Sequence, residues 1–122
     1  MLTWDKYLRV SDLDEAFAQL ARYGSRARVV AGATDLLTWA RAGRAGDVHY
    51  EALLDVSNIA PLSGIRLARG RVRIGANTLI ADFLRDPVLL EHAPVLRRCA
   101  VWFADDQIRE QATLGGLSLI HI

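Results

Sequence analysis

Cysteine, lysine and long hydrophobic runs are scarce in this sequence of 122 residues. Cys99 is the only cysteine, so no disulfide can form within the chain, and a reducing cytoplasmic setting is expected. No stretch approaches the roughly 18 consecutive apolar residues of a membrane-spanning helix, so no span is predicted. The first residues also lack the basic and apolar regions of a signal peptide. These absences together predict a cytoplasmic protein.

Strong net charge is missing as well. The formal net charge is +1, Lys6 is the only lysine, and the arginines are scattered along the sequence without forming a run. This balance is too close to neutrality to indicate nucleic acid or a membrane surface as a partner. Hydrophobic residues make up 52% and charged residues 24% of the chain, which is typical of a globular protein.

The usual catalytic groupings are absent too. His49, His92 and His121 lie far apart and show no metal-ligand spacing to one another or to Cys99. There is no HExxH, CxxC or GxSxG motif. The acidic pair at 105–106 is interpreted as capping a helix end or lying in solvent, and Cys99 as a small core residue on the apolar face of a helix.

The first half of the sequence alternates between helical and strand patterns. Ser11 is predicted to cap a first helix that Gly24 ends. A short buried strand at 29–31 then leads through a loop to Thr34, the predicted N-cap of a second helix that closes at Gly43. A further strand is predicted at 52–56.

The second half begins with alternating apolar residues and arginines. Arg69-Gly70 predicts a tight hairpin with apolar side chains on one sheet face and arginines on the other. Thr78 is predicted to cap a short helix, and Pro87 and Pro94 to open two more, the last of them carrying Phe103 on its apolar face. The change of pattern near residue 57 predicts two lobes, at residues 1–56 and 57–116.

Two glycine-containing motifs stand out, "AGATDL" at 31–36 and "ATLGG" at 112–116. The first places a glycine between a strand and a helix start, where unpaired N–H groups and the helix dipole can hold a phosphate. Each motif alone favours an ordinary turn over a phosphate site. Neither is GxGxxG or GxxxxGK[ST], so neither a Rossmann dinucleotide site nor a P-loop is predicted.

Taken with two intervening segments, the motifs show a family resemblance. "AGATDL" and "QIREQATLGG" (107–116), with "LLDVSNIAPLSGI" (53–65) and "VRIGANTLIADFL" (72–84) between them, follow in the expected order. "WFADDQIR" (102–109) matches the approach to the second motif. The chain resembles the FAD-binding medium subunit or domain of the molybdenum hydroxylases, such as xanthine dehydrogenase and aerobic carbon monoxide dehydrogenase.

The resemblance implies an α+β fold, a two-lobed PCMH-type FAD-binding domain that is C-terminally incomplete. Its small α/β lobe and its larger antiparallel-sheet-and-helix lobe would enclose FAD between them. The first motif would wrap the FAD pyrophosphate with backbone donors, and the second would approach the same diphosphate and the flavin side. The residues that the resemblance implies as cofactor-binding are Val29, Val30, Ala31, Gly32, Ala33, Thr34, Asp35, Leu36, Asn77, Thr78, Phe103, Thr113, Leu114, Gly115 and Gly116.

By the same resemblance, the parent protein is an FAD-dependent electron-transfer component with no catalytic side chain of its own. Electrons would pass from a molybdenum cofactor on a large subunit, through [2Fe–2S] clusters on a small subunit, to this FAD and then to NAD, a quinone or O₂. The alternatives are a flavin reductase of the same fold, like UDP-N-acetylenolpyruvoylglucosamine reductase, and a binding or scaffold module without flavin.

The sequence also departs from the family pattern. Ala33 replaces a usual second glycine, which is expected to be tolerable only at negative φ. Leu117 stands where Asn or Asp is usual, and residues 117–122 form a tail unlike the family. The chain is therefore expected to be a fragment of a longer gene product, inactive by itself.

Overall fold

The computed structural model describes residues 2–43 and 48–119, which contain both helices and strands. The chain divides into two compact units, one up to Ala60 and the other from Pro61 on, whereas the sequence pattern placed the boundary at residues 56–57. The strands are β1 (Leu2–Arg9), β2 (Ala27–Val30), β3 (Val48–Asp55), β4 (Ile65–Ala68) and β5 (Arg71–Ile74). The helices are α1 (Leu13–Tyr23), α2 (Thr34–Arg41), α3 (Pro87–His92), α4 (Pro94–Val101), α5 (Asp106–Arg109) and α6 (Leu114–Leu119), and short 3₁₀ turns lie at 24–26, 60–62 and 80–84.

The first unit is built on a three-stranded parallel sheet with the strand order β1-β3-β2. Its central strand β3 carries Ala52, Leu53 and Leu54, which are essentially inaccessible to solvent. The sequence pattern did not predict β1. That strand lies at a sheet edge with only Leu2 buried, so it lacks the run of apolar residues that marks an inner parallel strand.

Helix α1 begins one residue later than expected. Asp12, not Ser11, is the N-cap, and its carboxylate accepts a hydrogen bond from the Glu15 N–H at 2.8 Å. Ser11 instead donates its backbone N–H to the Glu15 carboxylate. The predicted end is confirmed, because Gly24 follows the helix at φ 54, a conformation in which glycine has no steric penalty.

The second unit opens with the predicted hairpin of β4 and β5. Ala68 pairs with Arg71, so Arg69 and Gly70 alone form the turn, and their φ values of 51 and 70 are those of a type I′ turn. Ile65, Val72 and Ile74 pack against the core of this unit. That core consists of Ile80, Phe83, Leu89, Ala100 and Ala112.

The predicted helix starts at Pro87 and Pro94 are confirmed, and Asp86 caps α3 by accepting from the Leu89 N–H. Two expectations for α4 are wrong. Cys99 is exposed and is not a core residue, and the helix ends at Val101, before Phe103. Phe103 is half-buried and packs against the core from the loop that follows.

Within residues 2–43 and 48–119, no helix is long and apolar enough to cross a membrane. The same residues contain no group of three or more His, Cys, Asp or Glu side chains that could hold a metal ion. The predicted tail at 117–122 is described only as far as Leu119, and His121 lies outside the described residues.

Candidate functional site

The first glycine motif connects the end of β2 to the start of α2. In the described part of the chain, the backbone N–H groups from Gly32 to Leu36 have no hydrogen-bond partner. The first bond of this stretch runs from the Leu37 N–H to the Ala33 carbonyl at 3.1 Å. Because the N–H groups at a helix start point outward and carry partial positive charge, this turn offers a set of donors suited to a phosphate.

Ala33 enters α2 in a left-handed conformation. Its φ is 53 and its ψ 18, so the expectation of a negative φ at this position is wrong. Thr34 is not the N-cap, since Ala33 occupies that position and Thr34 is the first residue of the helix. A left-handed residue explains physically why the family pattern has glycine here, because only glycine adopts this conformation without crowding its own Cβ.

A hydrogen-bonded turn at the end of β3 supports the first motif. The buried Asp55 carboxylate accepts from the backbone N–H and hydroxyl of Ser57 at 2.9 and 2.6 Å, and from the Tyr7 hydroxyl at 2.7 Å. Inside this turn, the Val56 N–H donates to the carbonyl of Val30 at 3.0 Å. Asp55 therefore helps to fix the last residue of β2, from which the first motif departs.

The same contacts shift two pKa values. Burial alone would raise the pKa of Asp55, but the hydrogen bonds from Ser57 and Tyr7 and the charge of Arg9 outweigh it and hold this pKa below its ordinary value. Burial, with the hydrogen bond to Asp55, raises the pKa of the Tyr7 hydroxyl. Our sequence reasoning missed Asp55; its signal is the Asp-x-Ser pattern directly after a buried strand, which is typical of an Asx turn.

The second glycine motif differs from the first, because its N–H groups are already bonded within their own unit. Leu114 donates to the Thr78 carbonyl (3.0 Å), Gly115 to the Ala76 carbonyl (2.7 Å) and Gly116 to the Thr113 hydroxyl (3.2 Å). An isolated antiparallel bridge joins Thr113 to Leu79. The structure thus brings the predicted residues 77–78 and 113–116 together in the second unit.

Close packing accounts for both glycines of this motif. A Cβ on Gly115 would lie 3.0 Å from the Ala76 Cβ and 3.1 Å from its carbonyl oxygen. A Cβ on Gly116 would lie 2.9 Å from the Thr113 hydroxyl oxygen. The absence of side chains lets α6 begin directly against the segment that contains Ala76.

Asn77 and Thr78 are buried in that segment. Thr78 does not cap a helix as predicted; its hydroxyl accepts from the Gly64 N–H (3.1 Å) and donates to the Gly64 carbonyl (3.2 Å). The Asn77 backbone N–H donates to the Leu62 carbonyl at 2.7 Å. These bonds tie the segment to the loop before β4, so it offers a rigid support to the second motif.

Arg109, the arginine of "QIREQATLGG", has an internal role that our sequence reasoning did not identify. Its side chain is 12% exposed, and one terminal nitrogen reaches the carbonyls of Phe103 (2.5 Å) and Ala104 (3.0 Å) just past α4. The other bonds Asp106 at 2.6 Å. A guanidinium so placed caps the C-terminal end of α4 and folds the loop that leads to the second motif.

Comparison with known proteins identifies the family. Residues 3–121 match the family described as "FAD binding domain in molybdopterin dehydrogenase". The xanthine dehydrogenase FAD-binding subunit of Escherichia coli O157:H7 is 35% identical over 117 residues, which cover 95% of this chain and 39% of that one. The carbon monoxide dehydrogenase medium chain of Hydrogenophaga pseudoflava is 34% identical over 111 residues, which cover 91% of this chain and 38% of the relative.

Solved structures agree with this assignment. A carbon monoxide dehydrogenase structure from Hydrogenophaga pseudoflava superimposes with a TM-score of 0.84 at 33% identity, covering 91% of this chain and 38% of the neighbour. The predicted fold class and its flavin cofactor are confirmed by these matches, and the chain spans less than two-fifths of the length of these relatives. The chain belongs to the family of FAD-binding domains of molybdopterin dehydrogenases.

Proposed function

We infer that this chain holds the diphosphate of FAD at its first glycine motif. The supporting observation is the set of N–H groups from Gly32 to Leu36, which lack partners among the described residues and start the eight-residue helix α2. Neutral donors at a positive helix end match the chemistry of a diphosphate, and Gly32 lets the backbone come close. Residues 29–31 form the approach to these donors.

The second motif contributes differently in this proposal. Since the N–H groups of Leu114, Gly115 and Gly116 are engaged internally, we propose that residues 113–116 contact FAD through the bare backbone surface of the two glycines. Asn77 and Thr78 support that surface from below. Phe103, which is half-buried and packs, like Leu114, against the core of the second unit, supplies an aromatic edge for a ring of FAD.

The parent protein, in this proposal, is the electron-transfer subunit of a molybdenum hydroxylase. Bound FAD would supply the redox chemistry, accepting electrons from [2Fe–2S] clusters and delivering them to NAD, a quinone or O₂. The molybdenum cofactor and the clusters would belong to a large and a small partner subunit. In this proposal, the role of this chain is to bind and orient the flavin.

A charge placed at the first motif tests this assignment. Thr34→Glu keeps a good helix former at the start of α2, where a carboxylate is favourable, but sets a negative charge against the diphosphate. We expect the full chain to bind FAD in a fluorescence titration and the variant to bind at least about tenfold more weakly, equivalent to about 1.4 kcal/mol.

Thr38→Glu is the matched control, since it adds the same charge one turn further along the same helix, at an exposed position. It should bind FAD nearly as well as the parent chain. Thr34→Glu should unfold at an unchanged or slightly higher temperature, and Thr38→Glu, in the last turn of α2, at a slightly lower one. Failure of the unaltered chain to bind FAD, or equal weakening by both substitutions, would overturn the assignment of the diphosphate to this turn.

A further inference from the structure

Four arginines share the hairpin of β4 and β5. Arg66, Arg71 and Arg73 point to the sheet face opposite the packed Ile65, Val72 and Ile74, and Arg69 occupies the turn; all four are exposed. We call these four residues the arginine face. Although arginines are scattered in the sequence, the antiparallel register gathers these four on one small ribbon.

Nothing in the described structure neutralises the arginine face. None of its four guanidinium groups has a hydrogen-bond or ion-pair partner among the described residues, unlike Arg26 and Arg85, which pair with Glu51 and Glu110. The sequence from residue 56 to residue 81 contains no Asp or Glu. In a chain whose net charge is only +1, this is a concentrated positive patch.

The register makes the charges repel one another. Arg66 lies directly opposite Arg73, so their Cβ atoms are about 5 Å apart, and Arg71 and Arg73 are separated by about 7 Å along β5. Like charges directly opposite each other destabilise an antiparallel pair. No carboxylate among the described residues compensates this repulsion between the arginines. An anionic partner that covers the arginine face would relieve it.

We propose that the arginine face docks an acidic segment of a partner polypeptide, one in which Asp or Glu recurs at every second position of an extended chain. Such a segment repeats its carboxylates at about 7 Å, the spacing of Arg71 and Arg73. Guanidinium groups bind carboxylates through paired, parallel hydrogen bonds, a geometry that the ammonium group of lysine does not provide. The small net charge of the chain disfavours nucleic acid as the partner.

The apolar side of the hairpin packs against its own chain, so the arginine face is the side that a partner would contact. Ile65, Val72 and Ile74 contact the core of the second unit, so that side of the ribbon is occupied by its own chain. This docking proposal is independent of FAD binding, because none of the four arginines belongs to either glycine motif.

A peptide-binding experiment with the full chain tests the proposal. The probe is a fluorescent peptide of alternating glutamate and threonine, with the corresponding glutamine peptide as its neutral counterpart. We expect binding of the acidic peptide that weakens steeply with salt, and an at least tenfold loss in the double variant Arg66→Gln/Arg73→Gln. The matched control Arg28→Gln/Arg98→Gln removes the same charge from two other exposed sites and should bind as the parent does.

Arg66→Glu separates docking from folding. It places a carboxylate opposite Arg73, so the cross-strand repulsion becomes an attraction and the melting temperature should rise by about 1–4 °C. The same variant should no longer bind the acidic peptide. Loss of binding in a variant that melts at a higher temperature cannot be attributed to unfolding.

Three outcomes would overturn the proposal. One is equal binding of the acidic and the glutamine peptide, and another is equal loss in the hairpin variant and its control. The third is tighter binding of a DNA oligonucleotide or of phosphatidylserine vesicles than of the acidic peptide, with the same dependence on Arg66 and Arg73, since it would assign the arginine face to a different class of partner.

Discussion

At the scale of single residues, Ala33 is a point of backbone strain within the proposed diphosphate site. Its φ of 53 costs about 1–2 kcal/mol for a residue with a Cβ. Part of that cost is offset because alanine loses less conformational freedom on folding than glycine does. Ala33 lies within the stretch of open donors from Gly32 to Leu36, so the strain is stored in the same turn that offers those donors.

Ala33→Gly should therefore stabilise the chain, by about 0.5–1 kcal/mol. Ala42→Gly is the control at the other end of α2, where φ is −77 and glycine is expected to destabilise by a similar amount. Urea unfolding followed by circular dichroism measures both changes. The same sign for the two variants would contradict the left-handed conformation of Ala33.

Gly75 occupies the tightest position among the glycines with described surroundings. A Cβ there would lie 2.1 Å from the carbonyl oxygen of Leu62, a backbone atom that cannot turn away. Gly75→Ala should destabilise the chain by about 2–3 kcal/mol, whereas Gly115→Ala, with its nearest contact at 3.0 Å, should cost less. Equal losses in urea unfolding would contradict this order.

Asp55 should make the free energy of unfolding depend on pH in the acidic range. Since its pKa is lower in the folded chain than in the unfolded chain, the unfolded chain binds more protons as pH falls, and the folded chain loses stability. The contribution is complete above the ordinary carboxyl range and is lost as pH falls through the lower pKa of the folded chain. Asp55→Asn should flatten this part of the profile of unfolding free energy against pH. The control Asp14→Asn, at an exposed position, should leave the profile unchanged.

At the scale of elements, local chemistry made some features predictable. Arg69-Gly70 between alternating apolar residues fixed the hairpin, and Asp86-Pro87 fixed the start of α3, because each dipeptide restricts its own backbone. Strand β1 could not be predicted, since an edge strand with one buried residue has no apolar pattern. The exposure of Cys99 was also not predictable, because it depends on which face of α4 meets the core.

The cap that Arg109 makes on α4 leads to a prediction about that helix end. Arg109→Gln removes a largely buried cation that bonds several carbonyls, and we expect a loss of about 2–3 kcal/mol in unfolding free energy. Arg98→Gln, at an exposed position on the same helix, should cost less than about 0.5 kcal/mol. Similar effects of the two substitutions would show that the internal bonds of Arg109 contribute little.

At the scale of the whole chain, sequence motifs predicted which segments would bind the cofactor but not how their backbone groups are used. The segments "AGATDL" and "ATLGG" are similar in sequence. The N–H groups from Gly32 on have no partner among the described residues, whereas those of the second motif donate to Thr78, Ala76 and Thr113. That distinction comes from residues dozens of positions away, in the segment around Ala76. The two motifs are therefore chemically unequal.

This inequality has a kinetic consequence. The second motif is held by its own hydrogen bonds before any cofactor arrives, so its amide hydrogens should exchange slowly with solvent deuterium in the free chain. The open amides from Gly32 to Leu36 should exchange within the shortest labelling time and become protected only when FAD binds. On FAD binding, conformational entropy would then be lost mainly from the backbone of the first motif, because the second motif is already ordered in the free chain.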